Sequence, residues 1–515
     1  MRRFGPRWRQ SGPLRVFVGR MEQSSSSGFT GLMAREHNSA PFIWILLLVF
    51  LGSLALVNPI VHGDGVGYYA YVRSPLIDHS LDFAHDYQAA NEGFREGRLD
   101  ESGQPKAGFR TVTGHLDNHF TVGPALLWSP FLLVAHAGVL LAREFGSSVR
   151  ADGFSAPYRY MMAFGTVFYG FLALVFSFRL ARKYVNPLWA FMATLTIWWA
   201  SSLPVYMYFN PSWSHAHSAF TVALFFWYWE RTRGERTLRQ WLVLGLITGL
   251  MLNVYYVNLM LVTVVLLEAL WQYLEYFRGV WQPGNKGILS LLSRQLLFGV
   301  VVCVCLLPTF VSRWIVYGGP FETGYLPIGD FLWRSPVFLK VLFSPNHGLL
   351  SWTPVIIFSL LGLVLFGRRS HSLGIPFLAA AMAFYLFISF YPDWAGISSF
   401  GNRFFISLTS LFIFGLAITL ESLASRFSRQ RTALLVSTAV LACFTLWNLG
   451  MIYQWGTHLI PARGPISFSQ AASNQFQVVP RQISSQLRAY FFRRGDMMQQ
   501  IEQKDLEQMK RNAQP

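Results

Sequence analysis

Apolar residues in this chain come in long runs. They show neither the strict alternation of a half-buried strand nor the narrow stripe of a soluble amphipathic helix. Eleven such runs, at 42–59, 158–180, 187–207, 213–229, 241–255, 257–273, 295–316, 349–366, 375–391, 404–420 and 433–455, approach the ~20 residues a helix needs to cross a bilayer. They predict an all-α fold, a polytopic transmembrane helix bundle of about eleven spans. A twelfth run, at 120–141, is of similar length.

The polar segments between the runs settle the place of that twelfth run. "RLARK" (179–183), "ERTRGERTLRQ" (230–240), the loop at 277–294, "GRRSHS" (367–372) and "SRFSRQR" (425–431) together hold fifteen Lys or Arg. Charge-poor loops alternate with them, and basic loops face the cytoplasm. Residues 1–40, with seven Arg and the run "SSSSG", are read as a disordered basic tail on the same side. Two crossings return the chain from that tail to "RLARK"; three do not. The 120–141 run is therefore expected along the outer interface, and 60–157 is expected to form one large external loop with interfacial helices. Residues 41–456 make the transmembrane domain. Residues 457–515 form a polar tail on the outer side, in which "SSQLRAYFFRRGDMMQQIEQ" reads either as a surface amphipathic helix or as disordered.

Composition agrees with this class. Of 515 residues, 53% are hydrophobic and only 13% charged, against about 25% charged in soluble domains. The net charge of +17 does not point to nucleic acid, because the basic residues sit in short loops as orientation signals. Cys303, Cys305 and Cys443 all lie in apolar runs and read as small buried hydrophobes. Glu268, inside an apolar run, is costly there and reads as a structural, snorkelling residue.

Candidate chemistry collects on the outer side. The first run ends in "NPIVHGDGVGYYAY", which places Asp64 at the membrane exit between glycines that allow close approach. "GDGVG" follows a membrane helix and not a strand, so it is no dinucleotide fingerprint. Asp64 is the candidate general base, since partial shielding tunes a carboxylate for proton transfer. Asp78, Asp82 and Asp86 are spaced by four, so a helix would align them. With His79, the pair Asp82 and Asp86 offers oxygen-rich ligands suited to magnesium or manganese. Arg313 and Arg403, at outer helix ends, suit a lipid phosphate. His215 in "NPSWSHAHSAF" and His347 in "SPNHGLLSWTP" stand where they can line a pocket.

These residues resemble the GT-C superfamily of membrane glycosyltransferases, in particular the group related to protein O-mannosyltransferases and lipid A aminoarabinose transferases. The resemblance spans roughly 42–455. It rests on Asp64 followed by Tyr68 and Tyr69, a large first external loop, and the segments "NHFTVGPALLWSPF" (with His119), "PYRYMMAFGTVFYG", "NPSWSHAHSAF", "SPNHGLLSWTP" and "WAGISSFGNRFF". It implies a donor sugar on a polyprenyl phosphate and a glycan, lipid or protein acceptor whose hydroxyl Asp64 deprotonates. It implies inversion at the anomeric carbon, with Arg403 and then Arg313 on the departing phosphate. It also implies a bacterial inner membrane with the site facing outward. The sequence departs from the mannosyltransferases in having Gly65 where they carry a second acid, and "VGPALLW" where they carry a Pro-Pro segment. The rival class is a lipid or solute transporter. Transporters place polar residues near the midplane of interrupted, repeated helices, whereas these spans are nearly uncharged.

Overall fold

The computed structural model describes residues 39–234, 236–279 and 287–513. The basic tail expected at 1–40 lies outside them except for its last two residues, as does the centre of the 277–287 loop. Among the described residues the fold is all-α, without a β-sheet.

Most predicted runs appear as helices: α1 (Ala40–Ser53), α4 (Ala156–Ala181), α6 (His215–Thr232), α7 (Leu238–Val254), α8 (Thr263–Phe277), α12 (His371–Phe390), α13 (Thr409–Ala424) and α14 (Gln430–Gly456). Three runs are broken where proline, lacking an N–H and clashing with the preceding turn, interrupts the ladder. The 187–207 run is α5 (Pro187–Trp199) and, beyond Pro204, a separate turn at Val205–Phe209. The 295–316 run splits at Leu306, before Pro308, into α9 (Ile288–Cys305) and α10 (Leu307–Tyr317). The 349–366 run splits around Pro354 into Leu349–Trp352 and α11 (Ile356–Arg369).

Burial sorts the helices. Helix α13 with the turn before it (Arg403–Ala424) is buried over 94% of its most apolar stretch, so it forms the centre of the bundle. Helix α9 is buried over only 6% and leans on α7 from outside. The packing of α11 on α13 is close because both contribute glycine there. A Cβ on Gly362 would fall 1.7 Å from the Gly415 carbonyl oxygen, so only small residues let the backbones meet.

The helix ends sort into two groups. At one end, Lys183 and Tyr184 bond Glu230, the Asn186 amide donates to Glu421, and Arg233 donates to the Ser372 carbonyl. Arg182 contacts Ser39, just before α1, at the same end. The basic loops thus gather together, as an even number of crossings requires. Glu268 lies near them, and its role there is structural. It takes two bonds of 2.8 Å from Arg236 and one of 2.7 Å from the Trp229 indole.

The twelfth run forms α3 (Gly123–Glu144), which is itself one of seven helices, among the described residues, long and apolar enough to cross a membrane. Its contacts show where it runs. Gly123 abuts Val254 at the end of α7, Trp128 donates to Thr166, and His136 meets Tyr158 at the start of α4. Gly123 and His136 therefore lie on the side of the bundle away from the basic loops, and α3 runs antiparallel to the first half of α4.

The polar C-terminal segment is folded, not disordered. It forms α15 (Phe468–Gln477), α16 (Val479–Phe492) and α17 (Arg494–Ala513). Tyr490 donates to the Leu56 carbonyl at 2.6 Å, and Arg494 donates to the carbonyls of Val57 and Ala55. These are orphan acceptors at the end of the first membrane helix, so the segment caps that helix on the Asp64 side.

Candidate active site

Asp64 is the first residue of α2 (Asp64–Arg73), directly after the exit of the first membrane helix. A first-turn carboxylate sits at the positive end of the helix dipole. The glycines around it are needed for space. Gly63 has φ +53°, a conformation few other residues adopt. A Cβ on Gly65 would fall 2.0 Å from the Ser212 hydroxyl, and one on Gly67 would fall 1.9 Å from the Phe120 ring. "GDGVG" thus lets α2 lie directly on the 210–214 loop.

Arg403, at the start of the last helical unit in the core, meets Asp64 with Nη1 2.8 Å from Oδ2. The two differ in access: the Asp64 side chain is 33% exposed, that of Arg403 only 12%. The Arg403 guanidinium lies over the Trp213 ring at 4.5 Å, and the Trp213 indole donates to the His62 carbonyl at 3.0 Å. The Asp64 contact is close but poorly aligned. Among the described residues, the buried Nε and Nη1 of Arg403 find no acceptor along their N–H directions. Buried charged donors left this way are costly, and an anionic oxygen beside Arg403 would supply acceptors.

Aromatic residues with polar tips surround the pair. Tyr68 lies beside Ser214 and Tyr325. Tyr206 meets the His215 ring at 4.8 Å, and Tyr255 stacks along Phe404 at 6.5 Å. Tyr391 is close enough to feel the charges of both Arg403 and Asp64. His347 is buried, takes φ +58°, and bonds the Ala395 carbonyl at 2.9 Å through Nδ1. His119 packs edge-on against Tyr325 at 4.9 Å, on the rim beside Tyr68.

Of the residues singled out from the sequence, the structure brings Asp64, Tyr68, His215 and Arg403 together, with His347 and His119 at the edges. The rest lie elsewhere. Tyr69 points the other way, donating to the Gly153 carbonyl at 2.6 Å. Arg313 is buried, and its guanidinium donates to the carbonyls of Asn118, His119 and Phe120 at 2.7–3.0 Å. It clamps the loop that leads into α3.

The metal group also requires correction. Pro75 and the left-handed His79 (φ +52°) turn the chain, so Asp78, Asp82 and Asp86 share no helix face. Asp82 is exposed, and its Oδ1 accepts from the Ala84 amide at 3.1 Å, at the start of the short helix Ala84–Gln88. Asp86 is buried against Arg73, which also pairs with Asp78. Burial pushes the Asp86 carboxyl up to about 7 against the pull of Arg73. Among the described residues, no three His, Cys, Asp or Glu stand close enough to hold a metal ion.

Trp213, Tyr206, Tyr255 and Tyr391 were not singled out from the sequence. Each sits in an aromatic-rich run, where a site residue looks like any membrane aromatic. A separate cavity of about 570 Å³ lies among the basic loops, lined by Trp229, Arg236, Trp241, Glu268 and Arg294. It contains none of the candidate residues.

His347 sets a pH dependence. Burial lowers its pKa to about 4, with its bond to the Ala395 carbonyl opposing. The folded protein therefore refuses a proton that the unfolded chain takes below about 6.5, so stability falls as the pH drops from about 6.5 towards 4. Asn tolerates positive φ and can still donate to Ala395. Melting temperatures of detergent-purified protein between pH 7.5 and 4.5 should fall less steeply in His347→Asn than in the wild type.

No family model and no curated protein matches the sequence. Solved structures do. One is ArnT from Cupriavidus metallidurans in the apo state, at 12% identity. The match covers 84% of this chain and 72% of that one, with a TM-score of 0.44. Another is the archaeal oligosaccharyltransferase AglB from Archaeoglobus fulgidus in complex with an inhibitory peptide and a dolichol-phosphate, also at 12% identity. That match covers 84% of this chain and 54% of AglB, with a TM-score of 0.46.

Proposed function

We propose that this protein transfers a sugar from a polyprenyl-phosphate donor to an acceptor hydroxyl, on the outer face of a bacterial inner membrane. The observation that carries the reading is the Asp64–Arg403 pair. A part-exposed carboxylate faces a buried cation with unsatisfied donors, at the level where a membrane helix ends. A lipid-borne phosphate reaches that level, and its oxygens match the donors of Arg403. The tyrosines offer flat apolar faces and hydroxyls, which suits a sugar ring.

The chemistry is a single displacement. Asp64 takes the proton of the acceptor hydroxyl as that oxygen bonds to the anomeric carbon. The bond from that carbon to the phosphate oxygen breaks, and its electron pair leaves on the polyprenyl phosphate. Arg403 offsets the charge that develops there. Arg403 would then shift from Asp64 towards phosphate, freeing the carboxylate as the donor seats. His215 stays buried beside Arg403 and shapes the pocket.

The test is mass spectrometry of lipid-linked sugars and envelope glycans from cells with and without the gene. Loss should leave a polyprenyl-phosphate sugar accumulating and one glycan modification missing. Unchanged pools of both would remove the assignment.

A further inference from the structure

We propose that the C-terminal helix α17 is a positioning element of the Asp64 site, acting through Glu502 and Asn91. This rests on the functional reading above for its catalytic consequence, but not for its geometry.

The connection is a chain of two hydrogen bonds. The Glu502 carboxylate oxygen Oε1 accepts from the Asn91 side-chain amide at 2.9 Å and from the Gly93 backbone at 2.9 Å. Asn91 turns its own oxygen, Oδ1, to the Gly63 backbone N–H at 2.9 Å. Gly63 is the residue before Asp64, and its positive φ sets the direction in which α2 begins. An Asn side chain can rotate to exchange its oxygen and nitrogen. Glu502 accepts only, so it holds the Asn91 nitrogen towards α17 and the oxygen towards Gly63.

Other contacts keep α17 in place without touching Gly63. His458 bonds Asp505 at 2.7 Å, and Tyr490 and Arg494 hold the carbonyls at the end of the first membrane helix. Glu502 is therefore a link from an already docked helix to the catalytic loop. Without it, α17 still has its dock, but Gly63 loses its orienting partner. Glu502 and Asp505 also lie near His62, on the other side of Gly63. The carboxylates facing this stretch are thus Asp64, Glu502 and Asp505. Misplacing a catalytic group by about 1 Å can cost ~100-fold in rate, so a loosened Gly63 should show in turnover.

The experiment uses the full-length protein in detergent or nanodiscs, with Glu502→Ala and Glu502→Gln. The amide oxygen of Gln still accepts from Asn91. Two quantities are read: amide hydrogen exchange of the peptide containing Gly63, and kcat and donor KM for transfer. Glu502→Ala should raise exchange at that peptide at least ~10-fold and lower kcat ~10-fold at unchanged donor KM, while Glu502→Gln restores both. Unchanged exchange in Glu502→Ala, or equal damage from Gln and Ala, would overturn the proposal. So would a loss confined to donor KM. If exchange responds but the wild type transfers no sugar, the clamp stands and the functional reading falls.

Discussion

Asp64→Asn should abolish sugar transfer while leaving the folded protein intact. Asn keeps the size of the side chain and its place on α2, but it cannot take a proton. General-base catalysis contributes ~10²–10⁴-fold, so kcat should fall by at least two orders of magnitude. Donor binding should change little, because the phosphate is held by Arg403. The same substitution removes the anion that now faces the buried guanidinium, so a modest loss of melting temperature is expected. Initial rates, donor affinity and thermal melting, measured on one preparation, separate these effects. Transfer at the wild-type rate would contradict the role given to the carboxylate.

Arg403→Ala should be comparably severe but different in kind. The guanidinium has unsatisfied buried donors, lies on Trp213 and touches Asp64. Its removal takes away both donor binding and the charge that meets the leaving phosphate. Loss of one preorganised donor to a developing anion costs ~10²–10³-fold. The donor KM should therefore rise and kcat fall together. Arg403→Lys should recover only part, because an ammonium keeps the charge without the planar fork or its stacking on Trp213. If Arg403→Ala bound and used donor normally, the phosphate would have to be held elsewhere. Arg313 is a poor substitute, since both its terminal nitrogens are engaged by backbone carbonyls.

The helical class was legible because membrane spans announce themselves by run length alone. The gathering of the basic loops was legible from charge: Lys183, Glu230, Asn186, Glu421 and Ser372 meet at one end. Asp64 and Arg403 stood out because a charge at a helix exit is conspicuous against apolar neighbours. Their pairing was not legible, because nothing local links the end of the first membrane helix to the start of the last core unit.

The failures have physical causes too. Spacing by four suggested a helix face for Asp78, Asp82 and Asp86, but Pro75 and the reversed turn at His79 break it, and the buried Arg73 takes two of the three acids. The C-terminal segment read equally as a surface amphipathic helix or as disorder, and the docking of its helices left no signal in the sequence. Their docking residues, Tyr490, Arg494 and Glu502, act singly on backbone groups and side-chain amides, which leaves no periodic trace.

The most direct measurement is the anomeric configuration of the product, read by NMR after transfer from a polyprenyl-phosphate sugar of known configuration. If Asp64 works as a base in one displacement with Arg403 on the leaving phosphate, the linkage is inverted relative to the donor. A product with retained configuration would make the carboxylate a nucleophile or a bystander and would contradict the account.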